Sequence, residues 1–198
     1  MVEFVGTEPH RAVAERGTSE RWFGVGAAAL PTGHEAGRAA AEQALAGRQA
    51  ALLIVFTTDA YDAGDLLAGI NEASGGAPLV GCSTAGELSD QGPADSSVVV
   101  AALGGDGFDV ATASGLESSS GLRAAGAAAA RCHSELPEGG NRVMVLMSDG
   151  RSGDQAEVIR GVHEEVGSGL PLAGGCAGDA VRSEGTFQLH GDRVHGDS

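Results

Sequence analysis

The sequence predicts an α/β fold, with duplicated β-α-β units, mixed sheets, flanking helices and an antiparallel hairpin after each unit. Three observations predict it. Two continuous apolar runs, "ALLIVFTT" (51–58) and "RVMVLMSDG" (142–150), have the composition of strands covered on both faces. Each is followed by a stretch of helical periodicity and then by a short strand that opens on Pro-Leu. Each unit then closes on small residues and an acid, "GCSTAGE" (81–87) and "GGCAGD" (174–179).

Residues 1–19 are polar and aperiodic and read as a loose leader; they carry acids and lack the apolar core of a signal peptide. "RWFGVGAAAL" (21–30) makes a strand, and an Ala-rich helix follows over about 34–48. After the strand at 51–58, "YDAGDLLAGINEAS" places Leu66, Leu67 and Ile70 on one helical face and "GG" ends the helix. "PLVG" is the short buried strand after it. "SSVVVAAL" (96–103) and "FDVATASG" (108–115) read as strands paired in a hairpin across the turn signal "GGDG". A second Ala-rich helix starts at the serines of "SSSGLRAAGAAAARCHSEL", which offer N-caps. After the strand at 142–150, "DQAEVIRGVHEEVG" carries Val158, Ile159, Val162 and Val166 on one face and stops at Gly167. "LPLAGG" and "GTFQLHGDRV" supply the last strands, the second turning at "HGD".

Residues 52–87 and 143–179 align as two copies of one pattern. Thr58–Asp59 matches Ser148–Asp149, Gly81 matches Gly174, and Gly86–Glu87 matches Gly178–Asp179. The pseudo-repeats extend over about 50–115 and 142–198. Such units give right-handed crossovers and parallel strand pairs, with both small-residue bends near the carboxyl ends of strands, where open α/β sheets bind ligands.

The net charge of −15, with Arg as the only basic side chain besides His, disfavours nucleic-acid and anionic-membrane partners. Three cysteines are too few and too scattered for a disulfide framework or a metal site, so a reducing cytoplasm is the expected location. No apolar run reaches membrane-spanning length. No cofactor and no metal is expected.

Cys82 is the sharpest catalytic candidate. "GCSTA" lacks the second glycine of a nucleophile elbow, however, and the repeat puts Gly175, or Cys176 with a shifted gap, at the matching place. A nucleophile has no reason to reappear as glycine. What the copies share is small size, which suits a tight bend or close approach of backbone. "GGCAGD" is no P-loop, because the chain contains no lysine, yet its amides could still cradle an anion. Asp59 and Asp149 read as helix caps, while Glu87 and Asp179 lie deeper and could meet a ligand amine. "HGDRVH", with His190 and His195, reads as a solvated turn rather than a metal site.

"PLVGCSTAGEL", "SVVVAAL", "SDGRSGDQAEVIRGV" and "LPLAGGCAGD", in that order, resemble the amino-terminal sensory domain of the FIST family over about residues 20–198. The resemblance implies a cytoplasmic signal-transduction module that binds small molecules such as amino acids, and it assigns no catalytic residue. It also implies a further strand and a second FIST domain beyond "HGDRVHGDS", so the chain reads as cut short at its C-terminal end, with the carboxy-terminal domain absent.

The expected function is therefore a non-enzymatic sensory domain for a small polar ligand, coupled to a downstream signalling domain or protein. The expected ligand-binding residues are Gly81, Cys82, Ser83, Thr84, Ala85, Gly86 and Glu87 in the first bend, and Gly174, Gly175, Cys176, Ala177, Gly178 and Asp179 in the second. The alternatives are a thiol-dependent hydrolase using Cys82 or Cys176, and an interaction fragment that needs a partner to close its sheet.

Overall fold

The apolar run near residue 51 forms the middle of a sheet. A computed structural model describes residues 20–89, 92–94, 96–115, 121–179 and 185–196. The leader at 1–19 and the serines at 118–120 lie outside the described residues. The chain order is β1 (Trp22–Ala28), α1 (Gly33–Leu45), β2 (Ala50–Thr57), α2 (Ala63–Ser74), β3 (Leu79–Ser83), β4 (Glu87–Ser89), β5 (Gly92–Ala94) and β6 (Val98–Gly104). It continues with α3 (Gly121–Ala130), a 3-10 turn (Arg131–Glu135), β7 (Met144–Asp149), α4 (Gln155–Val166), β8 (Leu172–Ala177), β9 (Phe187–His190) and β10 (Arg193–Gly196). The fold is mixed α/β, as the patterning predicts.

Six strands lie in the order β1-β6-β2-β3-β9-β10. β2 and β3 are parallel, joined through α2, and the other neighbours in this sheet are antiparallel. β7 and β8, joined through α4, form a separate parallel pair. Short antiparallel ribbons follow the two β-α-β units, β4–β5 after the first and β9–β10 after the second.

Alternation along the strands sends Leu53, Val55, Leu79, Val98, Val100, Ala102 and Leu189 to one face of the large sheet. They pack on Ala36, Ala40, Ala41 and Ala44 of α1 and on Leu66, Leu67 and Ile70 of α2. The alanines matter because a helix without large side chains can lie close to the sheet. Each buried Leu or Ile contributes roughly 1.5–3 kcal/mol. The opposite face is also apolar, and Phe23 and Val25 on it remain 63% and 52% exposed.

The predicted strand at 108–115 is not a strand. Both edges of β6 are taken, by β1 on one side and β2 on the other, so no ladder is left for it. Phe108 lies beneath the Arg21 guanidinium at 5.5 Å, and the Thr112 hydroxyl meets His190 Nε2 at 3.1 Å. The apolar face of α4 is narrower than expected, since Val158 and Val162 are buried and Ile159 is exposed.

The helix caps also differ from expectation. Asp62 caps α2 by accepting from the Asp65 N–H at 2.8 Å, and Asp154 caps α4 by accepting from the Ala156 N–H at 2.9 Å. Asp59 and Asp149 cap neither helix. Each lies at a strand end, and the chain makes a turn before its helix begins.

Candidate functional site

Gly81 and Gly174 occupy matching places within their strands. Gly81 stands opposite Val55 of β2, and a Cβ there would sit 2.5 Å from the Val55 carbonyl oxygen. Gly174 stands opposite Leu146 of β7, where a Cβ would sit 1.8 Å from the Leu146 oxygen, and its φ of +144° favours glycine as well. Close strand approach therefore requires these glycines. The bends come a few residues later.

The bends meet. Gly178, just past β8, donates its N–H to the Ser83 carbonyl at 2.9 Å. Ser83 ends β3 fully buried, and its hydroxyl accepts the Phe187 N–H at 3.0 Å. Thr84 extends the β2–β3 pairing by donating its N–H to the Thr57 carbonyl at 2.9 Å. Asp149 ties the second unit to the same place: its Oδ1 accepts the Thr186 hydroxyl at 2.5 Å and the Arg151 N–H at 2.8 Å. Arg151 in turn pairs with Asp179 at 2.9 Å.

Glu87 follows the first bend and is only 4% exposed. Its carboxylate accepts the Thr84 hydroxyl on one oxygen and the Ser97 hydroxyl, at 2.9 Å, on the other. Burial pushes its pKa above the ordinary carboxylate value, although hydrogen bonds from Thr84, Ser97 and nearby backbone N–H groups pull the other way. A cleft of about 140 Å³ opens beside it, lined by Phe56, Thr84, Gly86, Glu87, Leu88 and Val99. Tyr61 donates its hydroxyl to the Ser96 carbonyl, at 3.4 Å, next to Ser97.

Cys82 is buried on β3, and burial, reinforced by Cys176, pushes its thiol up to about 11. Cys176 is exposed on β8, and its sulfur accepts the Ser148 hydroxyl at 3.4 Å. Among the described residues no histidine hydrogen-bonds either sulfur. Gly175 and Cys176 face solvent, Ala177 is buried, and Gly178 and Asp179 are half-buried at the joint. Of the thirteen expected residues, the structure brings Ser83 and Ala85 of the first bend against Gly178 of the second, with Thr84, Gly86 and Glu87 following on the first bend and Asp179, paired with Arg151, on the second. It leaves Gly81 and Gly174 within strands and Gly175 out on β8.

His190 and His195 do not lie in a solvated turn. They belong to β9 and β10, and their rings stack at 6.4 Å. Among the described residues no group of three or more His, Cys, Asp or Glu side chains is placed to hold a metal ion. Among them, too, no helix is long and apolar enough to cross a membrane.

Sequence reasoning missed Phe56, Val99 and Ser97. The first two were legible as strand residues, but nothing local says which sheet face stays open. Ser97 bonds Glu87 across the β4–β5 ribbon, a pairing without sequence periodicity.

No curated protein and no solved structure matches the chain. A family model described as the FIST N domain matches residues 51–198, from β2 through β10 and so over both bends and the Glu87 cleft. The chain belongs to the FIST N domain family, a family of small-ligand-binding sensory domains in signal transduction.

Proposed function

We propose that the chain is a non-enzymatic cytoplasmic sensory domain that binds a small polar molecule such as an amino acid where its two bends meet. The observation that carries this reading is Glu87, a buried carboxyl forming one wall of a cleft on the first bend, next to Ser83, where Gly178 of the second bend makes contact. A buried carboxylate attracts a cation far more strongly than an exposed one does. The ligand ammonium stands beside Glu87 in place of the Thr84 hydroxyl, which then turns to the ligand carboxylate along with the backbone N–H groups of Ala85 and Gly86. Binding stiffens the joint between the two β-α-β units and biases a downstream signalling domain or protein. The non-enzymatic reading is supported by Cys82, whose thiol stays protonated at neutral pH and has no histidine bonded to it among the described residues. Three free cysteines suit a reducing cytoplasm.

Calorimetric titration with a panel of amino acids, paired with melting curves, tests the reading. At least one member is expected to release or absorb heat and to raise the melting temperature. Glu87→Gln is expected to weaken that binding about tenfold or more, as loss of a buried charge pair does. A panel that gives neither heat nor stabilisation overturns the proposal.

A further inference from the structure

We propose that the Glu87 cleft selects ligands with an apolar side chain, so that the preferred ligand is a hydrophobic α-amino acid with a branched aliphatic or compact aromatic group. The inference rests on the reading of Glu87 as the ammonium site. It is carried by the rest of the lining.

Phe56 of β2 and Val99 of β6 are direct cross-strand partners, and both point to the sheet face that α1 and α2 leave open. Together they make a flat apolar floor. Leu88 of β4, 77% exposed, adds apolar surface at the rim. The two polar side chains of the lining, Thr84 and Glu87, are bonded to each other, so they serve the ligand head and leave its tail no polar partner. Among the described residues, no basic side chain lines the cleft. An acidic ligand side chain would meet the Glu87 carboxylate and a protein of net charge −15 without a compensating cation. A neutral polar side chain would lose its water against Phe56 and Val99 and gain no hydrogen bond there.

Size points the same way. The cleft is about 140 Å³ and open to solvent on one side, with room for a side chain to lie against the Phe56–Val99 floor. It holds a butyl- or phenyl-sized group. Each methylene fully buried against that floor is worth at most about fourfold in affinity.

The test is calorimetry on the whole chain with L-leucine, L-alanine and L-glutamate, and with isopentylamine, which has the leucine tail and ammonium but no carboxylate. L-leucine is expected to bind at least ten times more tightly than L-alanine, and L-glutamate more weakly than either. Isopentylamine is expected to keep the preference over ethylamine. Phe56→Ala is expected to bring the leucine-to-alanine ratio toward one. Val99→Thr adds a hydroxyl to the floor at nearly unchanged size, and is expected to cut the ratio severalfold. Equal affinity for leucine and alanine, or a preference for glutamate, overturns this inference and leaves the amino-acid reading standing. Failure of every amino acid and amine overturns both.

Discussion

Gly178 donates its backbone N–H to the carbonyl of Ser83 at 2.9 Å, so the bend after β8 touches the end of β3. This bond joins the two β-α-β units beside the cleft that Glu87 lines.

Asp149 holds the joint through the buried Thr186 hydroxyl. Asp149→Ala leaves that hydroxyl without its acceptor, at a cost of about 1–3 kcal/mol. Urea denaturation is expected to show the loss. A double-mutant cycle with Thr186→Val is expected to return a coupling of about 0.5–3 kcal/mol, whereas independent effects would mean the contact does not hold the units together.

Gly174 and Gly175 are neighbours with opposite demands. A Cβ at Gly174 collides with the Leu146 oxygen, while one at Gly175 meets nothing within 4 Å. Gly174→Ala is expected to cost at least about 2 kcal/mol and to disturb the β7–β8 pairing. Gly175→Ala is expected to stay within about 0.5 kcal/mol of the parent. Chemical denaturation of the two variants side by side checks the contrast.

The Glu87 carboxyl titrates above its ordinary value because burial disfavours its charge. The native protein thus binds this proton more tightly than the unfolded chain does. The resulting stabilisation is complete below the ordinary Glu pKa of about 4.3 and is lost as pH rises through the raised native value. Glu87→Gln has no proton to lose, and the Thr84 and Ser97 hydroxyls can accept from an amide as readily as they donate to a carboxylate. Its stability relative to the parent is expected to improve as pH rises above the ordinary Glu value of about 4.3 and through the raised native one. Affinity for an ammonium ligand is expected to rise over the same window in the parent and to stay flat in the variant.

With its thiol near 11, Cys82 carries well under 0.1% thiolate at neutral pH, an order-of-magnitude figure that follows from the titration. Cys176 is exposed. Native-state labelling with iodoacetamide, read by peptide mass, is expected to modify Cys176 at least a hundredfold faster than Cys82. Rapid labelling of Cys82 would revive a nucleophilic role.

What was legible in the sequence was local. The apolar runs of β2 and β7, the alanine face of α1 and the Leu66–Leu67–Ile70 stripe follow from short-range periodicity, and the elements form where that periodicity puts them. Pairing was not local. Residues 108–115 carry strand-like composition, yet β6 had already spent both edges on β1 and β2. The caps show the same limit: Asp59 and Asp62 are equally good cap residues, and only the length of the intervening turn chooses Asp62. For the site, the small residues at 81–86 and 174–178 marked where backbone packs closely. Their meeting at Ser83 and Gly178, and the apolar floor of Phe56 and Val99, depend on contacts between distant segments that no motif encodes.

Hydrogen exchange read by mass spectrometry, with and without L-leucine at a concentration that calorimetry shows to be saturating, tests the central claim most directly. Slowed exchange is expected at residues 83–87 together with 176–178, because one ligand stiffens both bends at once. Protection confined to other segments, or to one bend alone, would contradict the account.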